Sequence, residues 1–215
     1  MSVIEVVSTP YGDARLLRDR SRHPAATLVL GHGAGGGADS PDLAVLAAEL
    51  PREGVSVIRV EQPWRVAGKR LAPRPEVLDA CLIAATNGLR VRTPLVVGGR
   101  SAGARSAART ARELGASGCL ALAFPLHPPG RPERSRLQEL DGVLVPTLVI
   151  QGERDPFGRP EEFPAHRQLA IVPGGDHGFT VPKRGVITQE EALAVIVEAT
   201  VEWIVRDVIG NRFRG

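Results

Sequence analysis

Several things are scarce in this 215-residue chain, and each scarcity excludes something. There are two cysteines, too few for a disulfide framework. Cys81 (in DACLIAA) and Cys119 (in SGCLALAF) both sit among apolar neighbours, where a thiol behaves as a small buried hydrophobe. A reducing, cytoplasmic setting is expected. The longest apolar run, Cys119 to Leu126 with Pro125 inside it, falls far short of the ~20 residues of a membrane-spanning helix. The opening MSVIEVVSTPYG also lacks the basic-then-apolar layout of a secretion signal. No membrane partner is expected. Neither sign of charge dominates: 27 basic side chains face 24 acidic ones, for a net charge of +3. Lysine occurs only at Lys69 and Lys183, so 27 − 2 = 25 of the bases are arginine. So small a surplus gives no nucleic-acid footprint. The five histidines (His23, His32, His127, His166, His177) are scattered without paired ligand spacing, which predicts no bound metal. No internal repeat, long charge block or dividing linker is present.

Glycine and proline are plentiful, at 24 + 18 = 42 residues. That is roughly 20% of the chain, below the ~25–30% that marks a low-complexity polymer. The length suits one sizeable core, so residues 1–215 are expected to form a single domain. Short β-branched runs bounded by turn residues alternate with alanine-rich stretches of helical spacing, the pattern of a mostly parallel sheet covered on both faces by helices. Seven or eight strands are expected: Ser2–Val7, Ala14–Arg18, Ala25–Gly31, Val55–Val60, Pro94–Gly98, Gly118–Phe124, Thr147–Gln151 and Gln168–Val172. Ser40-Pro41-Asp42 reads as a helix start, with Leu43, Leu46, Ala47 and Leu50 on one face. Pro75 to Asn87 and Ser101 to Leu114 read as further helices. In the latter, Arg105, Arg109 and Arg112 form a stripe expected to face solvent. Thr188-Gln-Glu-Glu191 is a capping box for a long last helix ending at Gly210. The proline-rich segments Gln62–Pro75 and Pro125–Pro132 read as ordered surface loops.

The strongest local signal is an apolar strand, Pro94-Leu-Val-Val-Gly, running into Gly99-Arg100-Ser101-Ala102-Gly103 and straight on into a helical pattern. A serine on so tight a turn needs small flanking residues, and its hydroxyl then stands above the sheet at a helix N-terminus. Gly-x-Ser-x-Gly alone is weakly specific in a chain this rich in glycine, so the context decides. Asp155 follows the strand Thr147–Gln151, and His177 follows the strand Gln168–Val172. The chain order is therefore serine, acid, histidine, each in a loop past a strand C-terminus. Ser101 reads as a nucleophile, His177 as its general base and acid, and Asp155 as the group that orients and stabilises the imidazole. Glu153 is the lesser alternative for the acid, and Asp176 reads as a loop-stabilising neighbour. An oxyanion hole needs two backbone N–H groups. Ala102 supplies one; the other is expected from Ala34 in Gly31-His-Gly-Ala-Gly-Gly-Gly37, with Gly33 as its substitute and His32 in a structural role.

The same glycine loop admits a competing reading, because Gly31, Gly33 and Gly36 fit dinucleotide-binding spacing and Glu61 ends the next strand. In that motif the helix opens within the glycines, whereas here the start signal waits until Ser40-Pro41. No Lys-Ser or Lys-Thr follows to make a phosphate-binding loop either.

As a set, GHGAGGG, GGRSAGAR, FPLHPPGRPERSR, QGERDPFG and GGDHGF resemble the α/β-hydrolase superfamily, in particular its small dienelactone-hydrolase-like members and, more narrowly, the testis-expressed hydrolase-like branch. The resemblance runs from about Tyr11 onward. It implies an eight-stranded sheet of the α/β-hydrolase fold and a Ser101–Asp155–His177 triad. It also implies that Pro125-Leu-His-Pro-Pro-Gly borders the pocket, with His127 either a contact there or a stabiliser of the turn. Only about twenty residues separate Phe124 from Thr147, which leaves no room for a cap domain and predicts a site open to small acyl substrates. Arg100, Trp64, Phe157 and Phe179 are expected to line it, with Arg100 as a partner for an anionic acyl group or for a neighbouring acid. The expectation is a serine hydrolase of small carboxylic esters or thioesters, monomeric or homodimeric, without metal or organic cofactor. The alternative is a non-catalytic binding or scaffold protein that keeps the fold.

Overall fold

The computed structural model describes residues 2–210; Met1 and residues 211–215, which the single-domain expectation includes, lie outside the described residues. Among the described residues every expected strand is present: β1 (Val3–Thr9), β2 (Gly12–Asp19), β3 (Ala26–Gly31), β4 (Val55–Glu61), β5 (Leu95–Arg100), β6 (Gly118–Leu122), β7 (Thr147–Gly152) and β8 (Gln168–Val172). They form one sheet in the order β1-β2-β4-β3-β5-β6-β7-β8. β1 pairs antiparallel with β2 and β2 with β4; all other pairings are parallel. The strand order reverses between β3 and β5. Their C-terminal loops therefore face one crevice, the place where open α/β sheets hold ligands.

Helices α1 (Pro41–Glu49), α2 (Pro63–Val66), α3 (Pro75–Asn87), α4 (Ala102–Thr110), α5 (Leu137–Asp141) and α6 (Gln189–Trp203) complete the chain, which continues from α6 in wider turns over Ile204–Ile209. Side chains alternate across each strand. Leu28, Leu30, Leu120, Leu122 and Ile150 pack beneath α1 and α6, on Leu43, Leu46, Ile196 and Trp203. Val29, Val97, Cys119, Ala121 and Val149 pack on the other face, against α3 and α4 through Leu82, Ala85, Ala104 and Ala107. Leucines meet large helix residues on one face, and alanines of α4 meet the sheet on the other.

Three local expectations change. The helix expected over Ser101 to Leu114 is regular only to Thr110, and turns carry the chain through Leu114 to Gly115, whose φ is +60°. The arginine stripe on α4 does not simply face solvent: Arg105 binds Glu139 of α5 at 2.6 Å, and Arg109 binds Asp79 of α3 at 2.7 Å and Glu139 at 3.1 Å. Although burial alone would raise its pKa, these two arginines hold the Glu139 carboxyl below the ordinary range. Lastly, α2 lies in the Gln62–Pro75 segment that reads as loop, and α5 lies between Phe124 and Thr147, where the sequence carries no helix signal. Between β6 and β7 the only helix among the described residues is α5, and none of the described helices is long and apolar enough to cross a membrane.

Candidate active site

The turn joining β5 to α4 is forced by glycine. A Cβ on Gly99 would meet the Gly31 carbonyl oxygen at 2.5 Å and the Gly103 carbonyl carbon at 2.7 Å; one on Gly103 would collide with the Gly31 carbonyl. β3 and α4 can approach this closely only if both positions lack a side chain. Between them Ser101 takes φ 53° and ψ −112°, a left-sided conformation costly for any residue with a Cβ. It is held by Ser101 N–H donating to Leu122 O at 2.9 Å and Arg105 N–H donating to Ser101 O at 3.1 Å.

The loops after β7 and β8 bring the other two residues to this serine. His177 Nε2 lies 2.9 Å from Ser101 Oγ, and His177 Nδ1 lies 2.8 Å from Asp155 Oδ2. Asp155 is fully buried, and its carboxylate also accepts from Phe157 N–H at 2.8 Å and Gln151 Nε2 at 2.9 Å. A carboxylate accepts only, so Nδ1 carries the proton and Nε2 is the acceptor facing the serine hydroxyl. Gln151 did not stand out in the sequence. Its buried amide also donates to Gly158 O at 2.7 Å, tying the Asp155 loop to the end of β7. A polar residue at the end of an otherwise apolar strand was the available signal.

Neither alternative carboxylate competes for the imidazole. Glu153 accepts from Gly174 N–H, and Asp176 caps its own turn by accepting from Gly178 N–H at 2.7 Å and Thr180 N–H at 2.9 Å. Phe157 lies against the His177 ring, centroids 4.2 Å apart, and restricts where the imidazole can tilt.

The glycine loop after β3 runs beside the serine: a Cβ on Gly33 would lie 3.4 Å from Ser101 Cβ. His32 holds this loop. It accepts from Gln62 N–H through Nε2 at 3.1 Å, so its Nδ1–H donates to Gly33 O at 2.9 Å. Burial lowers its pKa, keeping it neutral, which this hydrogen-bond pattern requires. Ala34 follows at the exposed tip, and Ala102 is the first residue of α4, where helix N–H groups lack an intrahelical acceptor.

Other expected contacts are placed differently. Arg100 is largely buried: its Nη2 donates to His177 O at 2.9 Å, and its Nε lies at ion-pair distance, 3.3 Å, from the carboxylate of Asp42, itself 1% exposed, without a hydrogen bond between them. Burial raises the Asp42 pKa, and Arg100 opposes that rise. Of the two roles expected for Arg100, the structure shows the ion pair with a neighbouring acid. His127 has both ring nitrogens committed, Nδ1 to Pro128 O at 2.9 Å and Nε2 to Glu162 at 2.8 Å, so it braces the Pro125–Pro132 loop. Phe179 does not line the site. At φ 57° it is fully buried in the core under α6. Trp64 is 7% exposed, packed on the His32 ring at 5.5 Å.

Among the described residues no group of three or more His, Cys, Asp or Glu is placed to hold a metal ion. Burial pushes the Cys119 thiol up to about 12, so it stays protonated and inert.

Comparison with known proteins agrees with this architecture. The profile of the alpha/beta hydrolase domain matches residues 24–205. The chain belongs to that family. An α/β serine hydrolase without a lid from Xanthomonas campestris superposes with a TM-score of 0.74 at 19% identity, covering 94% of each chain. A dienelactone hydrolase from Anabaena variabilis superposes equally well (TM-score 0.74, 19% identity, 97% of this chain and 98% of that one). Est1E from Butyrivibrio proteoclasticus gives a TM-score of 0.70 at 14% identity, over 94% of this chain and 99% of that one. At these identities the likeness is one of fold. No curated protein matches this chain.

Proposed function

We propose that this α/β-hydrolase is a single-domain serine hydrolase that cleaves small carboxylic esters or thioesters through an acyl-serine intermediate. The observation that carries the reading is the unbroken chain of contacts from Ser101 Oγ to His177 Nε2 (2.9 Å) and from His177 Nδ1 to the buried Asp155 (2.8 Å). Ser101 attacks the acyl carbon as His177 takes its proton, and Asp155 stabilises the imidazolium. The developing oxyanion accepts hydrogen bonds from the N–H groups of Ala34 and Ala102, with Gly33 as the alternative donor. His177 then passes the proton to the departing alkoxide or thiolate. A water, deprotonated by the same imidazole, releases the acid and restores Ser101. These groups supply every proton and charge the reaction needs, so no metal or organic cofactor enters it. The short β6–β7 connection and the partly exposed His177 ring favour small acyl groups reached from solvent.

A fluorophosphonate probe tests the reading. Labelling of the wild type that disappears in Ser101→Ala supports it; a folded wild type that does not label sinks it and favours a non-catalytic scaffold. Hydrolysis of p-nitrophenyl esters of graded chain length, beside a thioester, then identifies the substrate class, with short chains expected to be cleaved fastest.

A further inference from the structure

The opposite edge of the sheet, where the parallel strands begin, carries a cavity of about 280 Å³. Its walls come from the end of β2, the starts of β3 and β4, and the segment leading into β5. Four arginines line it, Arg18, Arg20, Arg90 and Arg92, and no acidic residue does. Arg18 is bound to Glu5 at 2.7 Å. Arg20, Arg90 and Arg92 are exposed and form no ion pair with any described residue. The hydroxyls of Thr27 and Thr93, 2.8 Å apart, and of Ser56 add neutral donors beside them. An adjoining depression shares Arg20 and adds Arg22 and His23, again without a carboxylate.

Arg59, Arg100, Arg105, Arg109 and Arg167 each have an acid within ion-pair distance. Among the described residues Arg20, Arg90 and Arg92 lack an acid, as Arg131 and Arg134 do, but these three are gathered around one cavity whose lining holds no carboxylate. Like charges gathered on a concave surface repel one another and focus a positive potential into it, which an entering anion relieves. A single carboxylate would leave two of the three uncompensated. A phosphate group carries up to two charges and presents oxygens that match the guanidinium fork. The lining contains no aromatic side chain on which nucleic-acid bases would stack. β5 spans Leu95–Arg100 between this edge and Ser101, roughly 20 Å at the usual rise per strand residue. A ligand here would leave the reacting serine free.

We propose that this cavity binds a small molecule through a phosphate or diphosphate group, at a site distinct from Ser101. The test is isothermal titration calorimetry with inorganic pyrophosphate as the probe. Expected are saturable one-site binding that weakens as salt rises, a loss of affinity of about tenfold or more in Arg20→Ala/Arg92→Ala, and no change in Ser101→Ala or in the control Arg131→Ala/Arg134→Ala. Arg20 and Arg92 are exposed, so the double variant should melt with the wild type; Arg90→Ala alone repeats the test if it does not. Absence of saturable binding, or equal binding by the double variant, overturns the proposal. Parallel arms offer vesicles containing phosphatidic acid and a single-stranded oligonucleotide. Binding to vesicles without binding to free pyrophosphate, or displacement of pyrophosphate by far tighter oligonucleotide binding, overturns it as well.

Discussion

The two edges of the parallel sheet are built on opposite terms. At the C-terminal edge, β3 and β5 end in glycines that let backbone touch backbone, Ser101 is held at φ 53°, and the polar side chains around it are tied to partners. At the N-terminal edge, arginines surround an open cavity and three have no acid. The first edge uses tertiary structure to force a few atoms into a costly arrangement; the second leaves charge uncompensated at the surface, where water screens it. Strain is tolerable where the surroundings over-determine it, and unpaired cations where solvent stays near. Substitutions should therefore be severe at one edge and mild at the other.

The largest expected effect is on turnover. Ser101→Ala should lower ester hydrolysis by at least about a thousandfold with the melting temperature preserved or raised, as measured by steady-state kinetics beside a thermal melt. Retained activity would move the nucleophile elsewhere. Next is Gly103→Ala, whose new Cβ would be driven into the Gly31 backbone; a loss on the order of 3 kcal/mol is expected in denaturant unfolding. Arg100→Met removes the partner of buried Asp42 and the anchor of the His177 carbonyl. It should cost about 3 kcal/mol near neutral pH as well as turnover. Because burial raises the Asp42 pKa, its charged form opposes folding, and without Arg100 that opposition grows. The stability deficit of the variant should therefore shrink as pH falls and Asp42 takes up a proton. A deficit that is flat with pH would show that the ion pair is not its source.

A smaller effect is expected at His127. Burial alone would lower its pKa, but the Pro128 carbonyl and Glu162 raise it on balance, since only an imidazolium can donate to both. The stability it contributes is present below its unfolded pKa and is lost as pH rises through the folded value. His127→Gln should thus cost about 1 kcal/mol in mildly acid buffer and less above pH 8, with KM little changed. A large rise in KM would return this histidine to the substrate pocket. Least of all, Arg90→Ala at the N-terminal edge should alter stability by under about 0.5 kcal/mol.

All eight strands were legible in the sequence because each alternates or runs apolar between turn residues, and period-two burial is a local property. The Ser101 turn and the order of Ser101, Asp155 and His177 were legible for a related reason: each lies directly past a strand C-terminus, so one sheet brings them to one edge. The rest depended on residues distant in the chain. The α4 arginines read as solvated because they share one face at helical spacing, yet Asp79 and Glu139 arrive from other helices. Phe179 reads as one of the residues lining the site, but at a positive φ it is buried in the core. Helices α2 and α5 are too short for a periodic signal.

What the amino-acid order determined by itself was the succession of strands and helices and the positions where glycine alone fits, since these follow from steric limits and burial within a few residues. Only the folded chain decided which acid each arginine meets, that Gln151 and Phe157 hold Asp155 and His177, and that Arg100 is turned inward to Asp42. Such pairings depend on side chains meeting across the packed layers, and no local pattern encodes who lies opposite whom.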